Sequence, residues 1–241
     1  MRALRILLIV VVVLGVLFAV ADRVAVHFAE QQVADKLRET EHLPSSPDVS
    51  IKGFPFLTQL AGGKLDDVEV GIEHYEADGG ERGQKIRIDD LKADMKGVEF
   101  SGDYSSATAA DATGTATIAY DELLKTAGAE STQVLPGVTT RVVGLADGGN
   151  GKIKVTVKVS ALPAPIQVLS SVSVENNKVR VKADGLPDLA GLALAEGRMR
   201  SVTDFQQAID QLPGGIRLAS VRAAKNGVEI TVKGSKVRLA G

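Results

Sequence analysis

The sequence predicts an α+β fold in which a strand-dominated, curved antiparallel sheet of about ten strands wraps around a long N-terminal helix. An uninterrupted apolar run from Ile6 to Ala21 continues into a helical pattern that extends to about Glu41. The rest of the chain is a series of short segments in which apolar and polar residues alternate. Such alternation is typical of strands with one buried face. Turn residues separate the segments, and no linker is long enough to divide them into two domains.

The composition excludes several classes of function. Apart from Arg2 and Arg5, the chain has 26 basic and 30 acidic residues, a net charge of −4. Nucleic acid binding needs a basic face that neutralises phosphates, so this charge argues against it. There is no Cys, which excludes disulfides, thiolate catalysis and Cys-ligated metals. The absence of Trp and the 4% aromatic content argue against a site that stacks on sugars or bases.

The N-terminal segment has the outline of an export signal. Arg2 and Arg5 precede the apolar run, and Ala19-Val20-Ala21 fits a signal-peptidase site. As a helix, the run is about 24 Å long at 1.5 Å per residue, slightly short of a hydrocarbon core of ~30 Å but workable with Ala3 and Leu4 added. Two interpretations remain open, a retained transmembrane anchor and a cleaved signal. The anchor is favoured because the helical pattern continues through the junction. With the two arginines in the cytoplasm, residues 22–241 lie on the extracytoplasmic side.

We therefore divide the chain into an anchor or signal segment, residues 1–21, and a single β-rich domain, residues 22–241. After Asp22, one face of the predicted helix is apolar and needs a partner, for which the sheet is the obvious choice. That face consists of Val26, Ala29, Val33 and Leu37. Pro44 and Pro47 end the helix.

The strands are predicted from alternation and from the turns between them. The clearest is Ile153–Val159, in which four apolar residues alternate strictly with three polar ones. A turn is predicted at Asp78-Gly79-Gly80, and hairpins are predicted at Asn176-Asn177 and Asn226-Gly227. Strands are expected at 49–53, 65–75, 86–91, 98–100, 115–120, 153–159, 166–174, 179–181, 216–221 and 228–232, with weaker signals at 138–145 and 237–239. Short helices are expected at 121–125 and 203–212, the second capped by Thr203.

Phe54, Pro55, Phe56 and Leu57 form the candidate binding segment. Two Phe residues flank a Pro, ahead of a short helical turn and Gly62-Gly63. The functional interpretation is a mouth or membrane-contacting lip made by this compact apolar loop. The alternative is a plug that seals one end of the core.

Other motifs do not support catalysis, a metal or a cofactor. The segment 146–152 resembles a phosphate-binding loop, but it lacks the first Gly, the hydroxyl residue and the following helix, so a β-turn is the better interpretation. The acidic pairs Asp66-Asp67 and Asp89-Asp90 are typical of solvated strand edges, and no Ser lies in a nucleophile elbow. We predict a protein that is not an enzyme, whose apolar concave face is filled by its own helix and side chains or by acyl chains. Three His residues are isolated, without a second ligand at metal spacing, namely His27, His42 and His74.

A family resemblance extends over nearly the whole chain. Ile51–Leu57 and Gly62–Val68 resemble the shared G-F-P-F-L-T-Q-L…G…D-V stretch of the actinobacterial LmeA-like phospholipid-binding proteins. Gly114–Leu123, Gly214-Gly215-Ile216 and Gly227–Ile230 follow in the matching order. The resemblance implies a fold like that of the tubular lipid-binding proteins and a cell-envelope protein that binds phospholipid, of the phosphatidylinositol type. It also implies a supporting role in lipomannan elongation, and no catalytic residues.

Three hypotheses follow. The first is a membrane-tethered phospholipid-binding protein of the cell envelope. The second is a structural or scaffolding membrane protein whose sheet closes on its own helix. The third is a hydrolase that uses Asp66, Asp67 and Asp89.

Overall fold

The structure, a computed structural model, describes residues 2–78, 85–103, 106–127, 131–176, 178–185, 205–208 and 215–240. This part of the chain contains three helices and twelve strands. The helices are α1 (Arg2–Thr40), α2 (Phe56–Ala61) and α3 (Tyr120–Ala127). The strands are β1 (Asp48–Lys52), β2 (Lys64–Asp78), β3 (Lys85–Phe100), β4 (Ala107–Ala119), β5 (Thr132–Leu135), β6 (Val138–Asp147), β7 (Lys152–Val159), β8 (Ile166–Glu175), β9 (Lys178–Ala183), β10 (Phe205–Ala208), β11 (Ile216–Ala223) and β12 (Gly227–Ala240).

The strands form two six-stranded sheets. The first has the order β1-β2-β3-β4-β12-β11, and the second has the order β10-β9-β8-β7-β6-β5. Every pair in the second sheet is antiparallel, as is β1 with β2. Most neighbours in space are also neighbours in sequence, since short hairpins connect antiparallel strands directly. The predicted strand-dominated α+β class with a long N-terminal helix is confirmed.

Several elements differ from the sequence-based prediction. Residues 205–208, expected inside a helix, form β10, which pairs with β9 from Phe205 opposite Val181. The pairing partner thus overrides a helical pattern in a short segment. Thr203, the expected cap, lies outside the described residues. Strand β4 begins at Ala107 rather than at Thr115, and β5 was not predicted, because small polar residues give a weak alternation signal.

Two compact units can be distinguished, and each consists of several chain segments. The first contains residues 1–72, 92–113 and 234–241, and the second contains residues 73–91 and 114–233. The limits between them fall within β2, β3, β4 and β12, each of which contributes residues to both units. That residues 22–241 behave as a single domain stays a prediction.

In the first unit, α1 packs on β1 and α2. Val26 is buried in one apolar cluster with Ile51 and Phe56. The buried face of α1 matches the expected stripe in part. Val26 is buried and Ala29 packs beside it, whereas Val33 is exposed and Ala34 is buried instead. The remaining buried members of the cluster are Leu65, Val98 and Ala109.

The core of the second unit lies between the inner faces of β7 and β11. All four predicted apolar residues of β7 are buried, while Lys154, Thr156 and Lys158 are not. Tyr120, at the start of α3, closes this core and donates a hydrogen bond from its hydroxyl group to the Ala224 carbonyl oxygen at 2.8 Å. Desolvation by burial raises the pKa of Tyr120. The core residues of both strands are Ile153, Val155, Val157, Val159, Leu218, Val221 and Ala223.

The hairpin between β11 and β12 turns at Asn226-Gly227, as the sequence predicts. The Ala224 N–H donates to the Gly227 carbonyl oxygen at 2.8 Å and closes the turn. A Cβ atom at Gly227 would collide with the carbonyl group of Ile118, 2.8 Å from its carbon atom, and would lie 2.9 Å from the Ala119 Cα atom. Since these contacts are to backbone, no side chain can rotate away to relieve them.

We expect Gly227→Ala to lower the free energy of unfolding by about 1–3 kcal/mol, through overpacking against β4. Chemical denaturation of the full chain in detergent micelles, followed by circular dichroism, measures the change. Gly102→Ala is the control, because a Cβ atom there has no neighbour within 4 Å. Equal stability of the two variants would contradict the prediction.

Candidate functional site

Helix α1 continues without a break from the apolar segment into the folded domain. Its large apolar side chains from Leu4 to Val20 are 45–69% exposed. The helix is long and apolar enough to cross a membrane, as an anchor or as a signal sequence, and it is the one helix in the described residues with this property. The first carboxylate of the chain, Asp22, follows directly.

The Asp22 side chain has no exposed surface. Its Oδ1 atom accepts a hydrogen bond from the Leu57 backbone N–H at 2.8 Å, and its Oδ2 atom accepts one from Arg23 Nη2 at 2.7 Å. Helix α2 needs this partner, because its N-cap residue is Pro55, whose side chain makes no capping hydrogen bond. A negative charge also suits the positive end of a helix dipole. Asp22 therefore supplies, from 35 residues away, a cap that α2 lacks.

The carboxylate of Asp22 is stabilised in its ionised form. Desolvation by burial opposes ionisation, but the hydrogen bonds from Arg23 and from the backbone of Leu57 and Phe56 outweigh it. Together with the charge of Arg23, they hold the pKa of Asp22 below its ordinary value. Asp22 is thus a charged group at the contact between α1 and α2.

Arg23 links the helix to the loop before α2. Its Nη2 atom donates to the Gly53 carbonyl oxygen at 3.2 Å. Its guanidinium carbon lies 5.4 Å from the centre of the Phe54 ring, within the range of a cation–π interaction. The Phe54 side chain is 60% exposed, so this contact positions an aromatic ring at the surface rather than in the core.

A second carboxylate of α1 binds the edge of the first sheet. Glu30 Oε1 accepts from the Ile51 N–H at 2.8 Å, and β1 is the edge strand. Covering an edge in this way removes a backbone group that another strand would otherwise pair with. Because Asp22 and Glu30 are eight residues apart, they lie on the same side of α1. Both hold the segment from β1 to α2.

The loop that carries Phe54 needs glycine at its start. Gly53 has a φ of +99°, which side chains rarely tolerate. A Cβ atom at Gly53 would also collide with the side-chain amide of Gln59, whose Cδ atom would be 3.2 Å away. Gln59 accepts a hydrogen bond from the Asp66 N–H at 2.8 Å, so it cannot easily move aside.

The four predicted binding residues lie in different environments. Phe54 is exposed, whereas Phe56 is 3% exposed and belongs to the apolar cluster of the first unit. Pro55 and Leu57 are half-buried, and the Phe54-Pro55 peptide bond is cis. The lip interpretation thus describes the position of Phe54, and the plug interpretation describes that of Phe56. Their assignment as a lipid site stays a prediction.

The other polar candidates form local contacts. His74 Nδ1 lies 2.8 Å from Asp89 Oδ1, and Arg87 Nε lies 3.3 Å from the same oxygen. His27 Nε2 is 3.0 Å from the Gln31 amide nitrogen. The segment 146–152 is the turn between β6 and β7, as predicted.

An acidic cluster lies on β2 and β3. Carboxylate oxygens of Asp67, Glu69 and Asp94 are within 4.8 Å of one another. Lys52 pairs with Glu69, and its hydrogen bond to Glu69 raises the pKa of Lys52 despite desolvation, with the charges of Glu69, Asp67 and Asp94 adding to the effect. This cluster is therefore an ion-pair network with a lysine inside it.

A family model described as LmeA-like phospholipid-binding matches residues 20–233 of the chain. The chain belongs to this family. No curated protein and no solved structure matches it. The region shared with the LmeA-like family begins at Val20, so it includes Asp22, Arg23 and the loop of Phe54. The resemblance read from the sequence is confirmed.

Asp22 and Arg23 were not predicted as site residues, because in the sequence they mark only the end of the apolar run. The only signal in the sequence is the spacing of Asp22, Val26 and Glu30, which puts two acids and a core residue on one side of α1. Their partners, Gly53, Ile51 and Leu57, are backbone groups, which have no sequence signature.

The lowered pKa of Asp22 predicts a contribution to acid stability. The stabilisation is present above the ordinary carboxyl pKa of 3.8 and is lost as the pH falls through the lower pKa of the folded state. Asp22→Asn should therefore lower the melting temperature at pH 7, and the difference from the wild type should shrink towards pH 3. Scanning calorimetry of the full chain in detergent measures both.

Asp35→Asn is the control for this experiment, because Asp35 is an exposed acid on the same helix. It should leave the melting temperature at pH 7 unchanged. If Asp22→Asn lowers the melting temperature by the same amount at every pH, the result would contradict a stabilising role of the ionised carboxylate.

Phe54 and Phe56 can be tested as a matched pair, because one side chain is exposed and the other is buried. Phe56→Ala should destabilise the chain by about 3–5 kcal/mol, the usual cost of truncating a buried Phe. Phe54→Ala should change stability by less than about 0.5 kcal/mol, because surface substitutions have small effects. Denaturant unfolding of both variants measures these values, and equal losses would contradict the assigned burial.

Proposed function

We propose that residues 22–241 form a single phospholipid-binding domain, held at the extracytoplasmic face of the cell membrane by a retained α1. Membership of a phospholipid-binding family supports the binding role. The position of Arg2 and Arg5 before the apolar segment supports the orientation, because positive residues stay in the cytoplasm. The domain binds lipid without transforming it.

The observation that carries this proposal is the position of Phe54. Its ring is mostly exposed, is held by Arg23, and lies one residue from the backbone oxygen that Arg23 binds. Asp22 and Arg23 directly follow the membrane segment. In our proposal, Phe54 and Pro55 form the lip that contacts lipid, while Phe56 and Leu57 anchor this lip to the core.

The lipid class we propose is an anionic phospholipid of the phosphatidylinositol type. Arg23 supports this choice, because its guanidinium group is half exposed beside Phe54 and suits a phosphate. We also propose, from the resemblance in the sequence, that the chain serves lipoglycan assembly in an actinobacterial envelope.

A scaffolding role is the second candidate. The core of the second unit favours it, since Val157 and Val159 are 2% exposed and Val168 is 1% exposed, so these strands are already filled by their own side chains. In that case the chain binds proteins, and Phe54 contacts one of them.

Native mass spectrometry of the full chain, extracted from membranes in mild detergent, separates the two functions. We expect a bound mass that corresponds to one phospholipid, and its fragments identify the head group. Phe54→Gln should reduce the lipid-bound fraction, whereas Leu169→Gln, which replaces another exposed apolar residue, on β8, should not.

A chain that carries no lipid, and takes up none from phosphatidylinositol vesicles, would contradict lipid binding. Equal bound fractions for the two variants would leave lipid binding intact but contradict the assignment of Phe54.

A further inference from the structure

One face of α1 remains apolar beyond the first carboxylate. Val20, Val24 and Phe28 follow one another at intervals of four residues, so they lie along one side of the helix. They are 57%, 52% and 67% exposed. Asp22 lies on another side, because it is two residues, about 200°, from Val20 and from Val24. The polarity change that the sequence places at Asp22 therefore belongs to the buried side of the helix.

On the exposed side, polar residues begin about two turns later. The next positions on this side after Phe28 are Gln31, Gln32 and Asp35, and all three are exposed. The boundary between apolar and polar surface is thus oblique. On the side of the helix that contacts the domain, this boundary lies at Asp22. On the opposite, exposed side, it lies after Phe28.

The length of the apolar face changes accordingly. From Ile6 to Ala21, the helix is about 24 Å long, short of a hydrocarbon core of ~30 Å. From Ile6 to Phe28, the same helix is about 34 Å long, enough for the core and the start of the head-group region. The exposed apolar face therefore reaches the head-group region, whereas the apolar run that ends at Ala21 does not.

We propose that Val24 and Phe28 lie in the interfacial region of the membrane that α1 crosses, so that the domain is partly seated in the lipid surface. The occupant of this face is lipid, because Val20, Val24 and Phe28 continue the apolar surface of the membrane segment, with the exposed His27 at its border. Arg23 and His27 border an open apolar groove between side chains of α1, and a guanidinium group at this level suits lipid phosphates. The other residues that line the groove are Val16, Ala19, Val20 and Val24.

This inference rests on the proposed retention of α1, and it is independent of lipid binding by Phe54. Tryptophan fluorescence tests it, because the chain has no Trp and each variant then has a single reporter. Phe28→Trp and Asp35→Trp place the reporter on the same side of α1, seven residues apart, or about 10 Å. Both positions are exposed, so both variants should fold.

The full-length variants are reconstituted into vesicles of phosphatidylcholine and phosphatidylglycerol, with and without bromine on the acyl chains near the glycerol. We expect Phe28→Trp to show blue-shifted emission that the brominated lipid quenches. Asp35→Trp should have the emission maximum of a water-exposed Trp, and the brominated lipid should not reduce its intensity.

Three results would overturn the inference. The first is equal quenching of the two variants, or no quenching of either. The second is a blue shift of Phe28→Trp without quenching, since a second copy of the chain would then cover the face. The third is an intact mass that begins at Asp22, which would also remove the anchor from the proposed function. With the full-length mass, the first two results leave that function untouched.

Discussion

The buried carboxylate of Asp22 is the interaction on which the membrane-proximal part of the structure depends. A charged group without exposed surface is tolerated only when its hydrogen-bonding capacity is satisfied, and here Leu57 and Arg23 satisfy it. This requirement fixes the rotation of α1 about its axis, because the carboxylate must meet the start of α2. Glu30, on the same side and two turns further along, fixes the helix against β1. Two acids thus attach a long, largely apolar helix to a folded domain.

The rotation of α1 determines what the surface presents. With Asp22 directed at α2, Arg23 reaches Gly53 and the ring of Phe54, and Val24 and Phe28 face away from the protein. An aromatic ring and an apolar helical face are then exposed next to the membrane segment. Exposed apolar groups that are contiguous indicate a contact surface, whereas isolated ones need no explanation. The candidate site is therefore a consequence of how the helix is attached, rather than a separate feature of the sheets.

The sequence predicted those features that depend on local pattern. The alternation in β7 and the Asn-Gly turn before β12 were read correctly, because side-chain direction in a strand and the conformation of a tight turn are local properties. The helix expected at 203–212 was wrong at residues 205–208, where pairing with β9 decides the conformation. Phe54 and Phe56 have the same side chain and opposite environments, which only the fold distinguishes. The role of Asp22 depends on a backbone group 35 residues away, and no spacing rule connects the two.

The size of the exposed apolar surface determines how much the proposed lipid contacts contribute to binding. Burying a whole Phe side chain contributes about 1.5–3 kcal/mol, so moving the exposed part of Phe54 or Phe28 from water into lipid contributes roughly 1–2 kcal/mol. A contribution of 1.4 kcal/mol corresponds to a tenfold change in affinity. Each ring is therefore significant but not sufficient on its own. If α1 is retained in the membrane, as we propose, it supplies the rest by holding both rings close to the lipid. A domain anchored in this way would need only weak, local lipid contacts, because its attachment keeps the lipid at high effective concentration.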